Sequence, residues 1–277
     1  MIPDFLVEPI VRKALEEDLG RAGDVTGGLL RADESLHAQF VARAGGVIAG
    51  LQAARIAASL VDSRLVFHKL VSDGARIAPR TAIAEIEGPA SSVLTAERTA
   101  LNFLTHLSGV ATLTRAFVDA VAGTNAKIAA TRKTLPGLRI VQKAAVIAGG
   151  GTPHRYGLDD AILIKDNHIA ACGSVGEALR RAKDAAGHMR VVEVEVDSLA
   201  QLDEALPHAP HAILLDNFSL DDLRMAVSRA GGKAILEASG GVSLATVRAI
   251  AETGVDIVSV GALTHSAPAL DIGLDAV

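Results

Sequence analysis

The chain has 277 residues, a formal net charge of -5, 49% hydrophobic residues and 21% charged ones. That length suggests one large domain or one large plus one small, and the composition supports a sizeable core rather than disorder. Aromatics amount to 3%, with no Trp and one Tyr, which argues against base-stacking platforms for single-stranded nucleic acid, and the mild acidity argues against a broad grip on a phosphate backbone.

The single cysteine, Cys172, excludes an internal disulfide or a thiolate metal cluster. The N-terminus, MIPDFLVEPIVRKALEEDLG, carries acids early and lacks the apolar core of a signal peptide. No stretch approaches the roughly 18 charge-free apolar residues of a membrane helix. The chain reads as a cytoplasmic protein.

In chain order, residues 5–19 predict a helix, because Phe5, Ile10, Val11, Leu15 and Leu19 recur at helical spacing. Segments 37–49, 65–70 and 81–87 are short, β-rich and bounded by Gly, Asp or Pro, so they predict strands. A helix over 51–61 lies between them. A long helical pattern runs from 91 to about 121, with Val93, Leu94, Leu101, Leu104 and Leu107 on its apolar face and Gly109 as a local weak point. This part predicts a small α+β domain closed by a helix that leads onward, with a division near residue 115.

After residue 125 the pattern becomes regular. Apolar runs at 127–133, 161–167, 190–197, 212–217, 234–241 and 256–263 alternate with helices, the signature of a parallel sheet buried on both faces. Ser174-Val-Gly-Glu177 and Ser198-Leu-Ala-Gln201 fit capping boxes, and Ser219-Leu-Asp-Asp222 is a looser version. Six strand-helix units fit a βα-barrel, complete or incomplete, better than an open sheet. No GxGxxG follows the first strand, which lowers a dinucleotide reading.

In such a barrel the carboxyl ends of the strands carry the active site. Here those ends bear Arg132 and Lys133, then Lys165, Asp166 and Asn167, then Glu195 and Asp197, then Asp216 and Asn217, then Glu237 with Ser239-Gly240-Gly241, and finally Val260-Gly261. The glycines after the last two strands suit backbone N–H contacts to a phosphate. Arg98, Arg132, Lys133, His154, Arg155 and Lys165 form a basic set, and Arg offers a planar fork for carboxylate or phosphate. Thr131, beside Arg132 and Lys133, ends the same buried-type strand, whereas Arg139 and Lys143 read as solvated charges on the next helix. Glu195 and Asp216 could hold Mg²⁺ or accept ribose hydroxyls, since Mg²⁺ uses few protein ligands and keeps several waters.

TRKTLPGLR at 131–139, GGGTPHRYGLDDAILIKDNHI at 149–169, EVEVDSLAQLDEAL at 193–206, LLDNFS at 214–219, LEASGGV at 236–242 and DIVSVGALTHSAPALDIGLD at 256–275 resemble the quinolinate phosphoribosyltransferase family. EDLGRAGDVT at 17–26 and ERTALNFLTHLSGVAT at 97–112 match as well. The resemblance covers nearly the whole chain. It implies an α/β fold with an N-terminal α/β sandwich domain and an incomplete βα-barrel, divided as 1–114 and 115–277, with the C-terminal tail packing back on the first domain. It also implies a homodimer with shared active sites, open to a higher assembly of dimers, and a Mg²⁺-dependent reaction. That reaction joins quinolinate to phosphoribosyl pyrophosphate, giving nicotinate mononucleotide, pyrophosphate and CO₂ in de novo NAD biosynthesis.

By motif match, Arg98, Arg132, His154, Arg155 and Lys165 would contact quinolinate, with Thr131 in the same substrate-binding set and Arg98 entering from the partner subunit. Lys133 would serve the phosphoribosyl donor, and Glu195 and Asp216 would hold ribose hydroxyls and Mg²⁺, directly or through water. Lys133, Lys165, Glu195 and Asp216 would form the catalytic set. Ser239, Gly240, Gly241, Val260, Gly261 and Ala262 would cradle the 5′-phosphate. Two places depart from the family pattern: Thr26-Gly27-Gly28, where a second Thr often follows, and Thr152-Pro153-His154, where Asn is common before His-Arg. A molybdenum-associated relative, a non-catalytic metabolite sensor and a generic phosphosugar barrel are the rival readings. The intact LIKDNHI, which supplies Lys165, favours quinolinate.

Overall fold

The computed structural model describes residues 2–277. By internal contacts the chain forms two units. The first comprises residues up to 115 together with 134–150 and 262–277, and the second comprises 116–133 and 151–261. The units are therefore not sequential blocks, because the segment at 134–150 and the C-terminal residues group with the N-terminal unit.

In the first unit, helix α1 (Asp4–Leu19) buries Val7, Val11 and Leu15, four residues apart on one stripe, and packs against α2 (Leu51–Val61). Strands β1 (Ser35–Ala42), β2 (Gly46–Val47), β3 (Val66–Lys69) and β5 (Ala82–Pro89) fall in the three segments expected to be strands, and β4 (Arg76–Ile77) is an additional short strand that the sequence reading did not include. The strand expected over 37–49 is broken. β1 ends at Ala42 and β2 resumes at Gly46, because the chain bends through the intervening Arg-Ala-Gly and β2 leaves for a separate two-stranded pairing with β4.

The main sheet of this unit is antiparallel, in the order β12-β1-β5-β3. Its edge strand β12 (Ile272–Ala276) is the C-terminus, paired with β1 from Ala38↔Ala276 to Ala42↔Ile272. Ala38, Phe40 and Ala42 alternate into the core of β1. Helix α3 (Ala90–Ala120) runs 31 residues without a break. Gly109 does not weaken it. A Cβ there would lie 2.0 Å from the Pro268 carbonyl oxygen, so the residue permits a close backbone approach. Helices α4 (Arg139–Ala148) and α10 (Ala262–His265) belong to the same unit. Lys143 on α4 is fully buried, against the expectation of a solvated charge. It sits beside Val141, Gln142, Ala145 and Val146, all buried, on a helix enclosed around much of its circumference.

In the second unit six parallel strands alternate with helices. They are β6 (Lys127–Ala129), β7 (Ile162–Ile164), β8 (Val192–Val196), β9 (Ala212–Asp216), β10 (Ile235–Ser239) and β11 (Ile257–Ser259). Helices α5 (Asp166–Cys172), α6 (Val175–Ala186), α7 (Leu199–Ala205), α8 (Leu220–Ala230) and α9 (Val247–Ala251) connect them. The spatial order is β6-β11-β10-β9-β8-β7. β6 and β7 are thus the two ends of the sheet, which makes it an incomplete βα-barrel. Among the described residues, the free side of β6 is met by Thr152, in a parallel bridge to Ala129. Thr152 donates to the Ile128 carbonyl at 2.8 Å and accepts from the Ala130 N–H at 2.9 Å. Pro153 has no N–H to extend that ladder, and the chain turns there.

The three expected helix starts carry their caps. Ser174 accepts from the Glu177 N–H, Ser198 from that of Gln201 and Ser219 from that of Asp222. Parallel pairing puts the carboxyl ends of all six strands on one edge, and the site lies there.

Candidate active site

One cavity of about 240 Å³ opens at this edge. It is lined by Thr131, Arg132 and Lys133 after β6, by Leu163 and Lys165 at β7, and by Glu195 on β8. Leu214 and Asp216 on β9, Glu237 and Ser239 on β10, Ser259 on β11 and the loop residues His154 and Arg155 complete it. Four permanent cations therefore face three carboxylates in a space the size of a small ligand.

Local chemistry fixes each side chain. After β6 the Lys133 N–H donates to Thr131 Oγ1 at 3.0 Å, a side-chain turn that folds Arg132 and Lys133 out of the strand line. Lys165 stays extended (φ -119°, ψ 170°) and caps α5. His168 Nδ1 accepts its N–H at 3.0 Å, and its carbonyl accepts the His168 N–H at 2.8 Å. The Ile-Lys-Asp-Asn-His run is thus a strand end welded to a helix start, and Lys165 is its pivot. The Lys165 ammonium pairs directly with the Glu195 carboxylate. Arg155 donates to the Ala161 carbonyl at 3.0 Å, while burial and the neighbouring Arg132 hold its guanidinium below its usual pKa. Asp216 accepts from Asn217 Nδ2 at 2.9 Å, and the Asn217 N–H donates to the Ser239 carbonyl at 2.9 Å. This ties the ends of β9 and β10 together.

Beside these groups His154 meets two acids, Glu193 and Glu237, to which motif reading gave no role. His154 Nε2 is 3.4 Å from a carboxylate oxygen of Glu193 and 3.4 Å from one of Glu237. The three ligand atoms lie within 4.8 Å of one another. Glu193 and Glu237 are 7% and 2% exposed. Burial opposes charge on the His154 ring, but the two carboxylates outweigh it and raise its pKa to about 9. Burial pushes the Glu193 carboxyl up, and His154 opposes that shift.

Three buried polar atoms around the cavity find no hydrogen-bond partner among the described residues: Arg132 Nε, Glu193 Oε1 and Ser259 Oγ. Buried polar groups are normally satisfied, so these three atoms leave hydrogen-bonding capacity open at one place.

The predicted residues divide as follows. Thr131, Arg132, Lys133, His154, Arg155, Lys165, Glu195, Asp216 and Ser239 line the cavity. Gly240, Gly241, Val260, Gly261 and Ala262 do not. Gly240 and Gly241 follow directly on β10, Val260 is buried after β11, and Ala262 opens α10. Arg98 is exposed on α3, in the first unit. A larger cleft of about 670 Å³ lies in that unit. Its one cation, Arg12, is already paired with Glu8 at 2.6 Å, so it offers no comparable anion site. At the family's first departure, Asp24 accepts the N–H groups of Thr26 and Gly27 at 2.9 Å each and the Thr95 hydroxyl at 2.9 Å, all far along the chain from the catalytic set.

An incomplete parallel βα-barrel whose mouth sets four cations against three carboxylates has the form of an enzyme site for anionic substrates. Comparison with known proteins narrows the class. Residues 24–108 match the quinolinate phosphoribosyl transferase N-terminal domain, and residues 110–275 match the C-terminal domain. The chain is 49% identical to the nicotinate-nucleotide pyrophosphorylase (carboxylating) of Mycobacterium leprae over 96% of its own length and 95% of that protein. It is 43% identical to a probable enzyme of the same name from Bacillus subtilis over 94% of its length and 89% of that protein. The solved structure of the Francisella tularensis nicotinate-nucleotide pyrophosphorylase is similar with a TM-score of 0.94 and 40% identity, covering 100% of this chain and 98% of the other. The chain belongs to the quinolinate phosphoribosyl transferase family.

Proposed function

We propose that this mouth transfers the phosphoribosyl group of phosphoribosyl pyrophosphate to quinolinate and decarboxylates the adduct, yielding nicotinate mononucleotide, pyrophosphate and CO₂. The family's activity is this decarboxylating phosphoribosyl transfer, a step of de novo NAD biosynthesis. The observation that carries the assignment to this cavity is the convergence of Arg132, Lys133, Arg155 and Lys165 on one small space, with Arg132 Nε buried and lacking a protein partner.

Quinolinate is a dicarboxylate. At an effective dielectric near 20, one charge pair at ~4 Å contributes about 4 kcal/mol before desolvation. Losing one carboxylate leaves a site cation unpaired, so Arg132, Arg155 and Lys165 select two carboxylates over one. Lys165 is paired with Glu195. A quinolinate carboxylate takes over Lys165, and Glu195 turns to the ribose hydroxyls beside Asp216.

The pyridine nitrogen is itself the nucleophile, so no general base is needed. It attacks the anomeric carbon as pyrophosphate departs through an oxocarbenium-like centre, and Lys133 stabilises the leaving charge. The ring nitrogen is then a cation, and its charge stabilises the electron pair left on the adjacent ring carbon when the carboxylate leaves as CO₂; that carbon then takes up a proton. Glu195 and Asp216 offer hard oxygen donors at a place for a polyphosphate, which fits Mg²⁺ held through few protein ligands and several waters. When bound with the pyrophosphate, the ion would neutralise leaving-group charge. Ser239 and the backbone of Gly240 and Gly241, with the Val260-Gly261-Ala262 turn, hold the 5′-phosphate.

The assembly in this reading is a homodimer in which Arg98, exposed on α3, completes the quinolinate site of a second copy. The place of action is the cytoplasm; no described helix is long and apolar enough to cross a membrane. The residue assignment is tested by Lys165→Ala. A charge-assisted hydrogen bond contributes about 1.5–3 kcal/mol, so kcat/KM for quinolinate should fall about 10- to 100-fold with the fold intact. A value near that of the unaltered enzyme would remove Lys165 from the site.

A further inference from the structure

The chain passes from its second unit to its first at two places, after Lys133 and after Gly261. Both places end groups assigned to phosphoribosyl pyrophosphate: Lys133 at one, the Val260-Gly261-Ala262 turn at the other. Of the quinolinate groups on the second unit, only Arg132 is near a crossing, while Arg155 and Lys165 lie within the long run 151–261. Whatever fixes the first-unit side of both crossings therefore bears mainly on the phosphoribosyl donor.

One side chain, within the first unit, holds both segments. Gln142 on α4 is fully buried. Its Oε1 accepts the Leu135 N–H at 3.0 Å, just beyond Lys133 in the chain, and its Nε2 donates to the Thr264 carbonyl at 2.7 Å, just beyond Gly261. Its other amide proton faces His106 Nε2 on α3 at 2.8 Å. A backbone N–H only donates and a carbonyl only accepts, so the amide has one orientation. His106 Nε2 then accepts, and the ring proton sits on Nδ1. Burial keeps this ring below its usual pKa, in the neutral form that can accept.

The base of this arrangement is α3. The Thr105 carbonyl, next to His106, accepts the Leu270 N–H at 2.9 Å, and Gly109 admits the Pro268 backbone. A buried amide carries a desolvation cost that filling space does not require. With both protons and the carbonyl used, it specifies one spacing between its partners, which an apolar side chain of the same volume would not do. We infer that Gln142 is a positioning residue for phosphoribosyl pyrophosphate: it holds the segments that follow Lys133 and the Val260-Gly261-Ala262 turn at a fixed separation, with His106 orienting its amide.

Arg139 on the same helix donates to Thr134 Oγ1 at 3.1 Å, a second hold on the first segment, whereas Gln142 spans both. Neither Gln142 nor His106 is among the residues lining the cavity, so each acts through the backbone it bonds. This role rests on the reading that Lys133 and the turn serve the donor. Lys133→Ala tests that reading by itself: a normal KM for phosphoribosyl pyrophosphate there would overturn the donor placement. Absence of product from the unaltered enzyme would overturn the reaction.

The test is steady-state kinetics of the full-length enzyme with Mg²⁺, each substrate varied at saturating levels of the other, alongside thermal denaturation. Gln142→Met keeps the volume and removes all three bonds. One net hydrogen bond corresponds to about two- to tenfold in an equilibrium, so the KM for phosphoribosyl pyrophosphate should rise about tenfold while that for quinolinate moves less than about threefold. His106→Leu leaves one amide proton unpaired and should raise the donor KM about threefold, whereas His106→Gln, whose carbonyl can accept that proton, should stay within about 1.5-fold of the unaltered enzyme. If Gln142→Met does not fold, the His106 pair decides the question. A lower melting temperature with both KM values unchanged makes Gln142 a packing residue and overturns the inference. An equal rise in both KM values, a fall in kcat alone, or equal donor KM values in the two His106 variants would overturn it as well.

Discussion

Gly240 allows the link between fold and donor binding to be measured. Its φ is +97°, and a Cβ there would meet Asn217 Oδ1 at 2.0 Å, Asn217 Cγ at 2.6 Å and the Asn217 nitrogen at 3.0 Å. Gly241 next to it also has positive φ, +59°, but a Cβ would meet nothing within 4 Å. Alanine at either position carries the left-handed penalty, about 1–2 kcal/mol. Only Gly240→Ala adds overpacking, about 1–3 kcal/mol. The strain has no easy outlet. The Asn217 N–H is bonded to the Ser239 carbonyl, and its side chain donates to Asp216. Displacing Asn217 therefore moves the carboxylate assigned to the ribose.

At about 3 °C per kcal/mol for a chain of this size, Gly241→Ala should lower the unfolding midpoint by about 3–6 °C and Gly240→Ala by a further 3–9 °C. Thermal denaturation followed by circular dichroism gives the first readout. The KM for phosphoribosyl pyrophosphate gives the second, and it should rise several-fold in Gly240→Ala with the quinolinate KM little changed. Equal stability of the two variants would refute the packing argument. A selective rise in the quinolinate KM would refute the placement of Asp216 on the donor side.

Two further substitutions probe the same account. Asp216→Ala should raise the KM for phosphoribosyl pyrophosphate about tenfold or more, the loss of a charged hydrogen-bond acceptor, and weaken the dependence on Mg²⁺; normal values for both would misplace the ribose side. Arg98→Ala alone should be nearly inactive with quinolinate, but mixed with the impaired Lys165→Ala it should give more activity than the two variants separately, through hybrid dimers that contain one intact site. No recovery after proven subunit exchange would contradict shared sites.

Much of this site is legible in the sequence because strand ends announce themselves. Apolar runs that stop at Arg132, Lys165, Glu195, Asp216 and Ser239 place those residues on one edge of a parallel sheet. What escapes is the cavity floor. Val192-Glu-Val-Glu-Val196 reads as one more apolar run, which passes over the glutamates of the face that a barrel turns inward. The signal was present: Glu193 is two residues from Glu195 and shares its face. Lys143 misleads in the other direction, since a lysine on a helix next to Arg139 reads as solvated and is in fact fully buried. Burial of a charge is decided by which face of α4 the tertiary packing covers, and a single helical pattern does not contain that information. The break between β1 and β2 is lost for a similar reason: residues 37–49 are uniformly β-rich, and the bend is fixed by β2 pairing with β4 rather than by local propensity.

The central claim is a dicarboxylate-selective phosphoribosyl transfer at the mouth of the second unit. The most direct measurement is nicotinate mononucleotide formation from phosphoribosyl pyrophosphate with quinolinate or with nicotinate, each with and without Mg²⁺. The account predicts Mg²⁺-dependent product from quinolinate and none from nicotinate. Product from nicotinate at a comparable rate would contradict it, as would no product from quinolinate by folded protein that binds both substrates.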